Sequence, residues 1–316
     1  MVCSTPVVFL IFRRPDLTAQ VFETIRQAQP TKLLIVADGP RNEEESVLCQ
    51  QARAITENID WNCEVLRNYS DVNLGCRNRV SSGLTWAFRQ VEEAIILEDD
   101  CLPHPSFFSY CESLLEYYRN DEQVMVISGN NFQEKGGRTL YSYYFSKYSF
   151  CWGWASWRRA WQHWEFNPQK WIEFRDKNLI QTFCPNTHEE KYWTSIFNTV
   201  FLEGKPDTWA YVWLFTCWAY NGLTILPRTN LVSNIGFGPN STNTGGKSHL
   251  SNISIEDIGH INHPPLMIKN SEADRQDFEK LFKRKTVIEI YLILRKIKAK
   301  FFKNLSIVSL SKKSPP

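Results

Sequence analysis

Over its first hundred residues the chain alternates short apolar runs with stretches of helical period, and no other feature narrows the fold so much. Residues 6–12, 32–37, 63–68 and 94–97 read as strands; 17–29, 43–58 and 75–91 read as the helices between them. The run Leu33-Leu34-Ile35-Val36 has no polar face, so a strand built from it needs cover on both sides. Such strands, separated by helices, specify a mostly parallel α/β sheet flanked by helices. Ligands of these sheets bind beyond the carboxyl ends of the strands. Arg13, Asp38 and the triplet Glu98-Asp99-Asp100 each follow a strand end, so they are expected along one rim.

Beyond residue 105 the pattern changes. Residues 106–118 read as a helix and 123–128 as a strand leading into Gly129-Asn130-Asn131. Two more helices are expected near 187–203 and 208–221, and a Gly- and Asn-rich loop at 234–246, making the second half mainly helical. Trp154, Trp157, Trp161 and Trp164 recur at spacings that share one helical face, which predicts a buried stripe. Trp152, beside Gly153, precedes that stripe and is better placed to meet a flat ligand. No internal repeat and no linker interrupts residues 1–270, so one domain is expected there.

The acid triplet in Ala94-Ile95-Ile96-Leu97-Glu98-Asp99-Asp100 raises the chemical question. Adjacent carboxylates repel, and each resists losing its proton unless something positive sits among them. That partner is a metal ion, an arginine or only water. Hard oxygen donors at a ligand-binding rim suit Mg²⁺ or Mn²⁺, ions that commonly also hold a substrate diphosphate. A solvated loop of surface carboxylates is the plainer reading.

The order of strand–Arg13, strand–Asp38, the Asn73-Leu74-Gly75 helix entry and Ile96-Leu97-Glu98-Asp99-Asp100 resembles nucleotide-sugar glycosyltransferases of the GT-A (Rossmann-like) fold. Glu98–Asp100 as a DXD-type motif, Pro105 before Phe107-Phe108, and Ser128–Asn131 resemble the N-acetylglucosaminyltransferase I type. The segment Cys151-Trp152-Gly153-Trp154-Ala155-Ser156-Trp157 is similar to bacterial glycosyltransferase-like proteins. The likeness covers about residues 1–131 well, extends to about 240, and is absent from the tail. It implies a nucleotide-sugar-binding half over 1–131 and an acceptor-side half over 132–270. It implies Asp100 as the direct metal ligand, Asp99 at the donor sugar or the metal's waters, and Glu98 behind them. It also implies that Asp38 accepts from the pyrimidine N–H of a uridine nucleotide, although a turn residue before Gly39-Pro40 accounts for it equally. Arg13, Arg77 and Arg79 are candidates for phosphate contacts or for pairing with the acids.

The expected reaction is metal-dependent transfer of a sugar from a UDP-sugar to a hydroxyl of a saccharide or lipid-linked acceptor, and the resemblance alone implies inversion. Asp207, before the helix expected at 208–221, is the candidate general base, with Glu203 in reserve; an ordinary helix N-cap is the competing role for Asp207. The loop at 236–244 could close over a diphosphate, and His263 could supply a late metal ligand. Two other functions stay open: a sugar-1-phosphate nucleotidyltransferase, disfavoured because Ile11-Phe12-Arg13-Arg14-Pro15 has no glycine, and a non-catalytic sugar-binding protein. Nothing suggests nucleic acid as a partner.

The nine cysteines have neither zinc-site nor redox-pair spacing, which fits reduced thiols and a cytoplasmic location. Charge is uneven: residues 280–316 hold 11 of the 36 Lys and Arg but one of the 34 Asp and Glu. Val287, Ile290, Leu294, Ile297, Phe301 and Leu305 then form one apolar stripe. The tail, 271–316, is expected to be a basic amphipathic helix. It either docks peripherally on an anionic membrane face or packs on the acidic body.

Overall fold

The computed structural model describes residues 2–133, 139–237, 250 and 252–283. The expected alternation is present: β1 (Val7–Ile11), α1 (Pro15–Ala28), β2 (Lys32–Ala37), α2 (Glu43–Ile55), β3 (Glu64–Tyr69), α3 (Cys76–Gln90) and β4 (Glu93–Glu98). Local chemistry sets the helix starts. Pro15 occupies the first turn of α1, where its missing N–H costs nothing. Asn42 caps α2, its side-chain oxygen accepting from Glu45 N at 2.9 Å.

β5 (Cys101–Pro103), α4 (Ser106–Tyr117), β6 (Val124–Ser128), β7 (Tyr143–Ser146) and β8 (Trp154–Trp157) follow. Then come α5 (Arg158–Trp161), α6 (Pro168–Asp176), α7 (Thr187–Leu202), α8 (Ala210–Ala219), β9 (Leu223–Pro227) and β10 (Val232–Asn234). The main sheet has eight strands in the order β3-β2-β1-β4-β8-β6-β9-β7. β8 and β7 run against the other six, so the sheet is mainly parallel. β5 and β10 form a separate antiparallel pair.

The winding places the site. From β1 the chain moves outward through β2 to β3; α3 then carries it back across, and β4 pairs with the free side of β1. The connections leaving β1 and β4 therefore diverge, which opens a crevice above their carboxyl ends. Alternate strand residues feed two cores. Phe9, Ile35 and Leu97 pack with α1 and α4, through Phe22 and Phe107. Val8, Val36 and Ile96 pack with α3 and α8, through Leu84 and Trp213.

One expectation for the second half changes. Trp154 and Trp157 lie on strand β8, and only Trp161 falls in helix α5. The residues spaced for a helix are drawn into the sheet because β8 fills the gap between β4 and β6, pairing Ile96 with Trp154 and Ile127 with Ala155. All three tryptophans are buried all the same. The second half is mainly helical, through α5 to α8, and also supplies β7, β8 and β9 to the sheet.

One compact unit ends at Ser271 and a second begins at Glu272. In the second, α9 (Ser271–Asp277) leads into a π-helical turn, Phe278–Lys283. Arg275 braces this segment by pairing with Glu272 at 2.7 Å and Glu279 at 2.9 Å. The amphipathic stripe from Val287 onward lies outside the described residues. Among the described residues no helix is long and apolar enough to cross a membrane.

Candidate active site

Above the carboxyl ends of β1, β2 and β4 lies a cavity of about 450 Å³, within the size range of small-ligand sites. Its walls include Asp38, Glu98, Asp99 and Asp100. Asp207, Arg79, Trp152 and Arg14 line it as well.

The tight turn between β4 and β5 carries the acids, and the backbone around it holds them in place. Phe12 N–H, just past β1, donates to Asp99 Oδ2 at 3.1 Å. Asn234, at the end of β10, donates through Nδ2 to Asp100 Oδ1 at 3.3 Å, and Ile235 N–H donates to the Asp100 carbonyl at 2.9 Å. Gly236 presses so closely on Asp100 that any added Cβ would collide with its carboxylate. The positive partner is Arg14. Its Nη1 lies 2.7 Å from Asp100 Oδ2 and 3.7 Å from Asp99 Oδ1.

Burial raises the pKa of Glu98, and the Asp100 and Asp99 charges add to the shift. Asp99 moves the same way, by burial first and the Asp100 charge second, with Arg14 opposing. Raised carboxyl pKa values mean that ionisation costs the folded state more than the unfolded one. Stability therefore falls as pH climbs from the ordinary glutamate range toward the folded pKa. Glu98→Gln removes that loss. The variant should melt above wild type at pH 8, by about 2–4 °C for each kcal/mol relieved, with the gap closing toward pH 4. A gap of the same size at both pH values would contradict this assignment.

Asp38 is buried, and its carboxylate is largely engaged. Oδ1 accepts from Gly39 N and Leu74 N, each at 2.9 Å, and Oδ2 from Asn73 Nδ2 at 3.1 Å. A carboxylate accepts about four hydrogen bonds, so at most one direction on Oδ2 remains for a ligand. Arg79 lines the cavity but is spent on the scaffold. Its Nε donates to the Ala37 carbonyl at 3.1 Å, and Nη2 donates to both oxygens of Asn68. Arg13 is not among the cavity-lining residues; its Nε sits 3.4 Å from Glu45 Oε1, at the start of α2.

Asp207 lies beside Gly75, at the start of α3, and 3.9 Å from Arg77 Nε. It does not cap α8, whose N-cap is Trp209. Trp152 stands edge-on to Phe132 and Phe237, with centroids 5.3 and 5.6 Å away, and turns part of its ring to the cavity. Beyond Phe237, the loop expected to close over a diphosphate lies outside the described residues. His263 is elsewhere, stacked on Tyr117 and hydrogen-bonded through Nδ1 to the Tyr143 hydroxyl at 2.7 Å. Glu203 is not among the cavity-lining residues.

Sequence reasoning passed over two residues at the acids. Arg14 had a signal, since it follows β1 and precedes a helix-starting proline. Asn234 had none, because 134 positions separate it from Asp100 and only the β5–β10 pairing joins them.

The donor chemistry suits a divalent cation. Two carboxylate oxygens of Asp99 and Asp100 already converge on one cationic nitrogen. Among the described residues, no group of three His, Cys, Asp or Glu side chains is placed to hold a metal ion. An ion at Asp99 and Asp100 would thus complete its shell with water and ligand oxygens, as Mg²⁺ and similar ions do at phosphate sites.

No family model and no curated protein matches the chain. Among solved structures, the chain is similar to a UDP-glucose pyrophosphorylase complexed with UDP-glucose, at 12% identity and a TM-score of 0.23. The match covers 43% of this chain and 66% of that one, just under two thirds of its length. A likeness this low carries no argument about activity.

Proposed function

We propose that this protein transfers a glycosyl group from a nucleoside diphosphate sugar, with UDP-sugars the first choice, to a hydroxyl acceptor. The observation that carries the reading is the gathering of Asp38, the Asp99–Asp100 pair and Asp207 around one cavity at the carboxyl ends of β1, β2 and β4. Asp38 takes the pyrimidine N–H on the remaining direction of Oδ2. Asp99 meets the donor sugar, with Glu98 behind it. Asp99 and Asp100 would hold Mn²⁺ or Mg²⁺, whose charge offsets the negative charge developing on the departing diphosphate. Trp152 offers a ring to the sugar. Asp207, which lines the same cavity, takes the acceptor proton.

Sugar-1-phosphate nucleotidyl transfer is less well served. The turn from β1 into α1 runs Phe12-Arg13-Arg14-Pro15, with no glycine to let the backbone wrap a triphosphate.

Nucleotide release over a panel of nucleotide sugars, with and without Mn²⁺, tests the proposal. UDP release that grows with acceptor is expected. Pyrophosphate release from UTP and a sugar 1-phosphate would favour the nucleotidyltransferase. Binding of UDP with no release from any donor would leave a sugar-nucleotide-binding protein.

A further inference from the structure

We propose that Arg14 is an exchangeable counter-ion, holding the place of a divalent cation on Asp100 until a diphosphate draws it away. This rests on the nucleotide-sugar reading above. Among the described residues three arginines line the cavity, and Arg79 and Arg41 are held by groups other than the acids. Arg79 holds Ala37 and Asn68; Arg41 donates from Nε to Glu45 Oε2 at 2.9 Å. Arg14 alone of the three pairs with the acids, with 17% of its side chain exposed. Its ion pair with Asp100 offsets the repulsion within the triplet, which burial makes more severe.

Among the described residues the other partners of the acids are anchored on strands or backbone: Phe12 N–H, Asn234, Ile235 N–H and the Cys101 thiol on β5. Arg14 reaches them through a long, rotatable side chain. Divalent ions of this class sit about 2.1 Å from a carboxylate oxygen. Arg14 Nη1 is 2.7 Å from Asp100 Oδ2, so a cation on that oxygen and the guanidinium in its present position would repel each other. Metal alone must therefore break the Arg14–Asp100 ion pair in order to bind. A diphosphate changes the balance, because its oxygens match the guanidinium fork and give Arg14 a new partner. Nucleotide and cation then strengthen each other's binding, and the reciprocity is a thermodynamic requirement.

Titrating Mn²⁺ alone, followed by the electron paramagnetic resonance of the free ion, tests the exchange on the full chain. Arg14→Gln should bind Mn²⁺ about tenfold more tightly than wild type, within the usual range of coupling between sites. Arg14→Lys keeps the charge and should stay near wild type, which separates competition from any change in folding. Arg14→Gln binding Mn²⁺ no more tightly than wild type would overturn the proposal. In a second arm, saturating UDP should raise wild-type Mn²⁺ affinity, and the gain should be at least about fivefold smaller in Arg14→Gln. If UDP leaves wild-type affinity unchanged, the coupling and the nucleotide reading both fall, while the Mn²⁺-only comparison still judges the Arg14 exchange.

Discussion

Replacing Asp207 by Asn is expected to lower kcat by about 10²–10⁴-fold while UDP binding stays at the wild-type level. The carboxylate is half-exposed, with 49% of its side chain accessible, and lines the same cavity as the acid pair. Removing a base matters only once the acceptor proton begins to move, so the loss falls on turnover rather than on donor affinity. The fold should be indifferent, because Trp209 and not Asp207 starts α8. Gly75→Ala should approach the same result indirectly. Gly75 has φ +78°, and an added Cβ would stand 2.6 Å from Asp207 Oδ2, forcing that carboxylate aside. Single-turnover measurements with calorimetry of UDP binding decide the matter. Turnover within a few-fold of wild type in Asp207→Asn would remove the residue from the chemistry.

A second large effect is expected at residues that do not line the cavity. Lys147 and Glu189 are almost wholly buried, at 3% and 1% side-chain exposure, and their Nζ–Oε1 separation is 2.5 Å. Lys147 Nζ also donates to the Phe183 carbonyl at 2.6 Å, and the Tyr148 hydroxyl donates to the same glutamate oxygen. This cluster ties the end of β7 to the first turn of α7. Glu189→Gln keeps the shape but removes the buried carboxylate that faces the Lys147 ammonium, which costs about 3–5 kcal/mol. The urea midpoint should fall accordingly, with an unchanged slope. Lys147→Met combined with Glu189→Leu should lose less than Glu189→Gln alone, since both members of the buried pair are then replaced by apolar groups together. A single variant within about 1 kcal/mol of wild type would show that water reaches the lysine.

Much of the first half was legible because its information is local. The apolar run Leu33-Leu34-Ile35-Val36 can be satisfied only by burial on both faces, and β2 occupies the stretch expected, 32–37. The helices between the strands began where Pro15 and Asn42 allow. Placing Asp38 and Glu98–Asp100 on one rim needed only strand direction, since parallel strands end on the same side. The tryptophans were misread for the opposite reason. Helical spacing is a local signal, and it lost to the backbone hydrogen bonds that β4 and β6 offer to Trp154–Trp157.

By itself, then, the sequence determined a parallel sheet covered on both faces, and a row of acids and arginines above its carboxyl ends. Only the tertiary structure decided which arginine serves the acids. Arg13 and Arg14 are neighbours of identical chemistry, yet one turns to Glu45 on α2 and the other to Asp99 and Asp100. The difference is one of direction at the exit of β1, where the chain bends into a helix begun by Pro15, and composition holds no record of direction. The same holds for Asn234, Trp152 and Asp207, which reach the cavity through strand pairings and helix packing between residues far apart in the chain. Long-range pairing is selected by the burial of whole surfaces together, so no short stretch of sequence can announce it.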